Sequence, residues 1–372
     1  MLSDFSDPAL GRKMLTLVQE LLHQWTDKSG RRLVLMEVCG THTVAFSRSG
    51  IRELLKPFLE LKSGPGCPVC VTDQQDIDNM LALAALPQIT VATFGDMMRV
   101  PGSSGNLAQA RAEGADVQVV YSPLAAVALA EANPKRRTVF LGIGFETTVP
   151  TVAAALAQAE TLGLDNFSLY SVHKLAAPVI ANLLEDEGLK LDGLILPGHV
   201  AAITGRRHFD FVGQRFGVPA AITGFAELDL LAGVEEIVKQ LLNGKSYSFN
   251  AYPRVVREEG NTKAWSLVER FFEPGPAKWR GLGELAGSGL VLRPEYAHFD
   301  AKNRYSVSVP TARLPKGCLC GEILKGKALP FNCRHFASAC NPLNPVGPCM
   351  VSAEGTCAAY YKYERRDGAL YG

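Results

Sequence analysis

Short apolar runs, each followed by a helical pattern, recur through most of this chain and limit the folds open to it. "RLVLMEVCG" reads as a buried strand ending at Cys39, and "ITVATFGD", "DVQVVYSP" and "TVFLGIGFETT" continue the series. "FSLYSVHK", "GLILPGHV" and "PAAITGF" extend it. Apolar strands that alternate with helices are the mark of parallel sheets covered on both faces. The expected fold class is α/β, with two small parallel-sheet domains over residues 25–120 and 121–238. A helix is expected near Pro8–Gln24. Beyond about residue 240, "NAYPRVVREEGN" and "FFEPGPAKWRGLG" break the rhythm. Residues 239–372, joined by 1–24, are expected to form a third, Cys-rich domain.

Composition narrows the function classes. A length of 372 residues suffices for two or three cores. The formal net charge is +1, so neither a large basic face nor a nucleic-acid partner is expected. The opening "MLSDFSDPALGRKMLTLVQELLHQ" lacks the basic and apolar regions of a signal peptide. No apolar run reaches the roughly 18 residues of a membrane span, and a cytoplasmic protein is expected. In a reducing compartment, clustered cysteines point to metal or redox chemistry rather than structural disulfides. The nine cysteines are clustered: Cys39, Cys67 and Cys70 lie early, and Cys318, Cys320, Cys333, Cys340, Cys349 and Cys357 lie late.

In open α/β sheets, ligands collect beyond the carboxyl ends of strands. "EVCGTHT" puts Glu37, Cys39, Thr41 and His42 there, and "GIGFETT" puts Glu146, Thr147 and Thr148 there. "SVHK" adds His173 and Lys174, and "LPGHV" adds His199. Singly, each histidine reads as a satisfied buried residue; together they read as one shared cleft. "GIGFETT" lacks the GxxxxGK[ST] of a phosphate loop. "PGSSGNLAQARAEG" reads as a turn and helix cap rather than an anion cradle. "CGTH" suits a Cys–His nucleophile pair or two ligands of one metal, with a buried structural cysteine as the plain alternative.

"GPGCPVC" holds Cys67 and Cys70 at CxxC spacing in a stiff Pro/Gly turn. A closed zinc site needs two such pairs, and no second CxxC occurs. A redox pair is the preferred reading and half a zinc site the alternative. The tail, with six cysteines among Gly and Pro, has too few apolar residues to fold by burial alone. A metal centre would staple it. Its spacing does not fit the ferredoxin run, and zinc would accept four thiolates equally well. The two surplus thiols suggest a cluster beside a redox pair, with structural zinc and spare thiols as the alternative.

The segments "EVCGTHT", "GPGCPVC", "GIGFETT", "LPGHVAAITG" and "GCLCGEILKG" to "MVSAEGTCAAYYKY" resemble, in order, the [NiFe]-hydrogenase maturation factor HypD family. The resemblance implies two α/β domains and a third carrying a [4Fe–4S] cluster. It implies a complex with the small chaperone HypC, on which an iron acquires two cyanides and one carbonyl. HypE, carrying a thiocyanate made with HypF, donates the cyanide, and the Fe(CN)2CO unit passes to the hydrogenase large subunit. By motif match, Cys39 is the iron-site thiolate with His42 beside it. Glu146, Thr147 and His199 are further site residues, and Cys67 and Cys70 are the facing redox pair. The tail is similar to the cluster environment of ferredoxin–thioredoxin reductase. Cys318, Cys333, Cys340 and Cys357 would then bind the cluster, and Cys320 and Cys349 would form an accessory pair. Such a protein is a redox-active assembly scaffold rather than a turnover enzyme. A thiol–disulfide oxidoreductase and a passive iron scaffold remain the alternatives.

Overall fold

The computed structural model describes residues 8–365. Its strands are β1 (Leu33–Glu37), β2 (Leu59–Ser63), β3 (Ile89–Thr93), β4 (Asp116–Val119), β5 (Arg137–Gly142) and β6 (Phe167–Ser171). They continue with β7 (Gly193–Pro197), β8 (Ala220–Thr223), β9 (Ser248–Asn250), β10 (Phe272–Trp279) and β11 (Gly283–Leu292). One five-stranded sheet has the order β2-β1-β7-β8-β9 and one four-stranded sheet the order β4-β3-β5-β6. All pairings within these two sheets are parallel, as the strand–helix rhythm requires. The α/β expectation is borne out.

The partition of the strands differs from the expected one. The chain lays down β1 and β2, builds the whole four-stranded sheet, and then returns with β7 alongside β1, Leu35 opposite Gly193. A boundary near residue 120 therefore falls within the second sheet, just after β4. Every βαβ unit has the same local signature, so alternation cannot tell which sheet a strand joins. The helix Pro8–Ser29 does not accompany the Cys-rich tail. Its Val18 and Leu22 pack with Leu33 of β1 and with Val234 and Ile237 of the helix Glu227–Leu242. The remainder of the expected 1–24 segment, residues 1–7, lies outside the described residues, as does the tail beyond 365.

Three apolar clusters hold the molecule together. One covers the outer face of the five-stranded sheet. A second, with Phe140, Leu156, Phe167, Phe271 and Phe299, covers the outer face of the other. The third joins Met36, Val91, Val139 and Leu194 of both sheets and runs without a break into Cys320, Ile323, Cys349, Met350 and Cys357. The tail thus shares its core with both α/β sheets. The antiparallel β10–β11 hairpin clamps this seam: Trp279 bridges to Thr72, and Gly289 bridges to Lys174. Among the described residues, no helix is long and apolar enough to cross a membrane.

Candidate functional site

A cleft of about 210 Å³ lies where the carboxyl ends of the two sheets meet. The pair β1 and β7 flanks the point where strand order reverses, the place where open α/β sheets bind ligands. Cys39 follows β1, Gly66 follows β2, Thr147 and Thr148 follow β5, and His199 follows β7. All of these line the cleft, together with Thr41 and Glu354. Val38, Phe145, Val179, Ile180 and Val200 supply apolar walls.

Cys39 caps the helix Gly40–Arg48 in an extended conformation, so its side chain stands at the mouth of the helix. It is 8% exposed. Burial, reinforced by Glu354, pushes its thiol up to about 12, while the Thr41 and His42 amides pull the other way. The sulfur is therefore protonated at neutral pH, and only a soft cation that displaces the proton makes it a ligand. Glu354, inside "MVSAEGTC", is a cleft residue that the motifs do not single out. It accepts a 2.6 Å hydrogen bond from Thr41 Oγ1, and a Cβ on Gly40 would come within 2.5 Å of its backbone oxygen. The tail thus closes onto the helix that Cys39 caps. An acid in a Gly/Cys loop carries no periodic signal, so only the fold brings it here.

Glu37 and His42 sit behind the cleft, both fully buried. Glu37 accepts from Thr43 Oγ1 at 2.6 Å, with Arg52 at 3.6 Å. Burial raises its carboxyl to about 7, opposed mainly by Arg52. His42 Nε2 lies 2.9 Å from Thr223 Oγ1 and 3.1 Å from the Gly224 carbonyl; the carbonyl can only accept, whereas the hydroxyl can serve either tautomer. Burial lowers His42 to about 4, so the ring is neutral, and its Nδ1 has no hydrogen-bond partner. Phe225 stacks on His42 at 4.6 Å and packs at a tilt against His199 at 4.1 Å, joining the buried imidazole to the exposed one. Glu146 is also buried, accepting from the Ala176 amide at 2.7 Å through Oε1. Its Oε2 is unpartnered, and burial raises the carboxyl to about 7.

His173 and Lys174 are not in this cleft. They line a second cavity of about 240 Å³ with Asp76, Lys278 and Lys302, under the hairpin. Lys174 donates to the Lys278 carbonyl at 2.8 Å, and burial lowers it to about 8. Burial, then Lys174 and Lys302, lower His173 to about 3. Its unfolded value is about 6.5, so the folded state holds fewer protons between these limits. The stability it contributes is present above about pH 6.5 and lost as pH falls towards 3. His173→Gln is expected to flatten this acid limb by about 2 kcal/mol between about pH 7 and pH 5, read from urea midpoints. The "PGSSGN" loop is the turn and cap expected: Asn106 and Gln109 form a capping box, and Asp78 accepts from the Ser103 amide and hydroxyl.

Cys67 and Cys70 are joined in a disulfide, with Cα atoms 5.2 Å apart, and both are buried. Cys67 caps the short helix Pro68–Val71. The turn lies hard against Cys39: a Cβ on Gly66 would stand 2.2 Å from Cys39 Cα. Gly66→Ala is expected to cost about 1–3 kcal/mol, as overpacking does, and to displace Cys39, measured by denaturant midpoint and by Cys39 labelling rate. On the other side, Cys70 Sγ lies 4.0 Å from the Pro348 carbonyl, in the turn that carries Cys349.

The six tail cysteines, Cys320 in the helix Cys320–Leu324 and Cys357 in the helix Thr356–Tyr363 among them, line one small cavity with Ile323, Phe336 and Met350. Cys320 Sγ and Cys349 Sγ are 2.7 Å apart. The Val346 amide donates to Cys340 Sγ at 3.3 Å, the kind of bond that supports a cluster sulfur. His335 also lines the cavity, with its Nε2 2.8 Å from the Lys316 carbonyl, and the six thiols beside it are a donor set whose chemistry fits an iron–sulfur cluster. Among the described residues, no three His, Cys, Asp or Glu side chains close around a single metal ion.

The family model described as "HypD: Hydrogenase formation hypA family" matches residues 13–364. The chain is 41% identical over 366 residues to "Hydrogenase maturation factor HypD" of Rhodobacter capsulatus, covering 97% of each chain. It is 44% identical over 338 residues to the protein of the same name from Rhizobium leguminosarum bv. viciae, covering 89% of this chain and 88% of the relative. It is 42% identical to its namesake in Escherichia coli (strain K12), covering 91% of each. A family model matched over nearly the whole chain, and relatives above 40% identity over about nine-tenths of it or more, show that the chain is a member of the HypD family.

Proposed function

We propose that this hydrogenase maturation protein is the scaffold on which an iron atom receives two cyanides and one carbonyl. The observation that carries this reading is the contiguity of three thiol sites: Cys39 in the cleft, the Cys67–Cys70 disulfide against it, and the six-thiol cavity behind. The iron is cargo. Cys39 offers a soft thiolate once its proton leaves, and Glu354 sets a negative charge beside it. The apolar walls keep water from the strong-field ligands.

Each cyanide that departs from a partner's thiocyanate leaves its sulfur two electrons short. A Cys67/Cys70 dithiol supplies both. One thiolate attacks the thiocyanate sulfur and expels cyanide, forming a mixed disulfide. The other thiol resolves it, and the pair ends as the Cys67–Cys70 disulfide. The pair must then be reduced. A [4Fe–4S] cluster bound by Cys318, Cys333, Cys340 and Cys357 would supply electrons, with Cys320 and Cys349 as an accessory pair between cluster and disulfide. The partners implied by resemblance are a HypC-type chaperone, a HypE-type cyanide donor and, at the end, a hydrogenase large subunit.

The test is infrared spectroscopy of the protein copurified with its HypC-type partner. Bands in the cyanide and carbonyl stretching region are the expected result. Their absence, in a preparation that carries iron at the cleft, would sink the scaffold reading.

A further inference from the structure

Arg52 stands behind the cleft in the short helix Ile51–Leu55, its side chain 9% exposed. Three parts of the chain hold its guanidinium. Nη2 lies 3.6 Å from Glu37 Oε1 at the end of β1, and Nη1 donates to the Leu61 carbonyl of β2. From the tail, the Tyr360 hydroxyl accepts from Nη1 at 3.1 Å, and the Tyr360 ring centre lies 5.2 Å from the guanidinium carbon. Glu364 Oε1 lies 3.0 Å from Nε. Tyr360 belongs to the helix Thr356–Tyr363, whose Cys357 lines the thiol cavity. Both carboxylates also grip the helix that Cys39 caps. Glu37 accepts from Thr43 Oγ1 near its start and from the Cys39 amide at 3.4 Å, and Glu364 accepts from Ser47 Oγ near its end. One cation thus bridges two acids that hold the two ends of a nine-residue helix. Apolar packing would stabilise this seam as well as a buried ionic triad does. What the triad adds is direction, because each partner fixes the orientation of the next.

We infer that Arg52 is a positioning residue for Cys39, which it fixes in the cleft by tying Glu37 to the tail helix. The connection is short and unbroken. The Cys39 amide binds Glu37, Glu37 faces Arg52, and Arg52 faces Tyr360 and Glu364, which follow Cys357 in the chain. The cleft and the thiol cavity therefore share one rigid part, and the placement of the tail is read at Cys39. A guanidinium suits this task because its planar fork offers separate N–H groups to two carboxylates, a carbonyl and a hydroxyl at once. A lysine ammonium is a point charge on a flexible stem and cannot span them. Arg52 touches neither the cleft nor its cargo and acts through Glu37 alone. The meaning of this tie for maturation rests on Cys39 being the iron-site thiol, as proposed above.

The experiment uses the full chain, purified without oxygen. Alkylation of Cys39 by iodoacetamide at one pH is followed by mass spectrometry, and hydrogen exchange at β5, in the other sheet, reports general loosening. Arg52→Gln is expected to speed Cys39 alkylation about tenfold while β5 exchange stays unchanged. Arg52→Lys is expected to stay close to Arg52→Gln, because one ammonium cannot bridge both acids. Glu364→Gln keeps an acceptor for Ser47 but removes the charge that faces Arg52. It is expected to speed alkylation about threefold in the parent and to add nothing in an Arg52→Gln background. An unchanged Cys39 rate in Glu364→Gln overturns the inference even if Arg52→Gln fails to fold. Additive effects of the two substitutions overturn it, since Glu364 would then act on Cys39 without Arg52. Alkylation and β5 exchange that rise together overturn it too, since general stability would then be responsible, and so does a parent-like rate in Arg52→Lys. A parent without cyanide and carbonyl bands whose Cys39 still responds as stated sinks the iron reading and leaves the tie through Arg52 standing.

Discussion

Cys39→Ala is expected to abolish the cyanide and carbonyl stretching bands completely while leaving the fold and the tail thiols unchanged. The side chain lines a cleft on one face, so its loss should cost within about 1 kcal/mol, read from the denaturant midpoint. Cys39→Ser should not rescue the bands. Its hydroxyl is un-ionised at neutral pH, and oxygen is a hard ligand for a low-spin iron. The parent makes a further quantitative demand. With the thiol pushed up to about 12, iron binding must expel one proton, so affinity should rise about tenfold per pH unit between about pH 6.5 and 8.5. A chelator competition across that range measures the slope. Bands that persist in Cys39→Ala, or an affinity flat with pH, would move the iron elsewhere.

Cys340→Ala is expected to cause the second large loss. If four tail thiols hold a cubane cluster, removing one should strip about four irons and the brown colour from anaerobic protein. Because Cys340, Cys349 and Cys357 lie in the same apolar cluster as both sheets, the damage should not stay in the tail. The urea midpoint of the whole molecule should fall, since metal binding there is coupled to folding. Cys320→Ala should retain the cluster, because Cys320 is assigned to the pair whose sulfurs lie 2.7 Å apart. A colourless Cys320→Ala protein would reverse the division of the six thiols. One zinc and no acid-labile sulfide in the parent would remove the cluster altogether.

The residues legible in the sequence are those whose role is local. Strands that are mostly buried announce themselves as apolar runs, and β1, β3 and β5 to β8 are legible in this way; the edge strand β4, with Asp116 and Gln118 between its valines, is legible from its place in the strand–helix rhythm. The edge strand β2, "LELKS", alternates Leu59 and Leu61 with Glu60 and Lys62 and escapes such a reading. Charge on an edge strand discourages unwanted pairing, and it also hides the strand from a reader of apolar runs. The β10–β11 hairpin is hidden by Pro274, Gly275 and Pro276, which argue against a strand unless it lies at an edge. Cys39, Thr147 and His199 are identifiable because strand ends can be located from local pattern. Their separation from His173 and Lys174 is not, because it depends on which sheet each strand joins. Glu354 and Arg52 are invisible for the same reason: each acts across the molecule on a partner far away in the chain.

The excursion of the chain between β2 and β7 also dictates an order of events during synthesis. The strands β3 to β6 are contiguous, so the four-stranded sheet can pair while the ribosome is still adding the later strands. The β1–β2 pair must wait for β7, and the cleft wall at Glu354 waits for the tail. A chain interrupted between residues 171 and 193 would hold every strand of the four-stranded sheet and lack β7, the strand that flanks the cleft beside β1. Late, long-range closure of this kind makes folding slow, and it also makes the finished cleft a certificate of completion. A nascent chain encloses Cys39 in its full cleft only after Glu354 has been made.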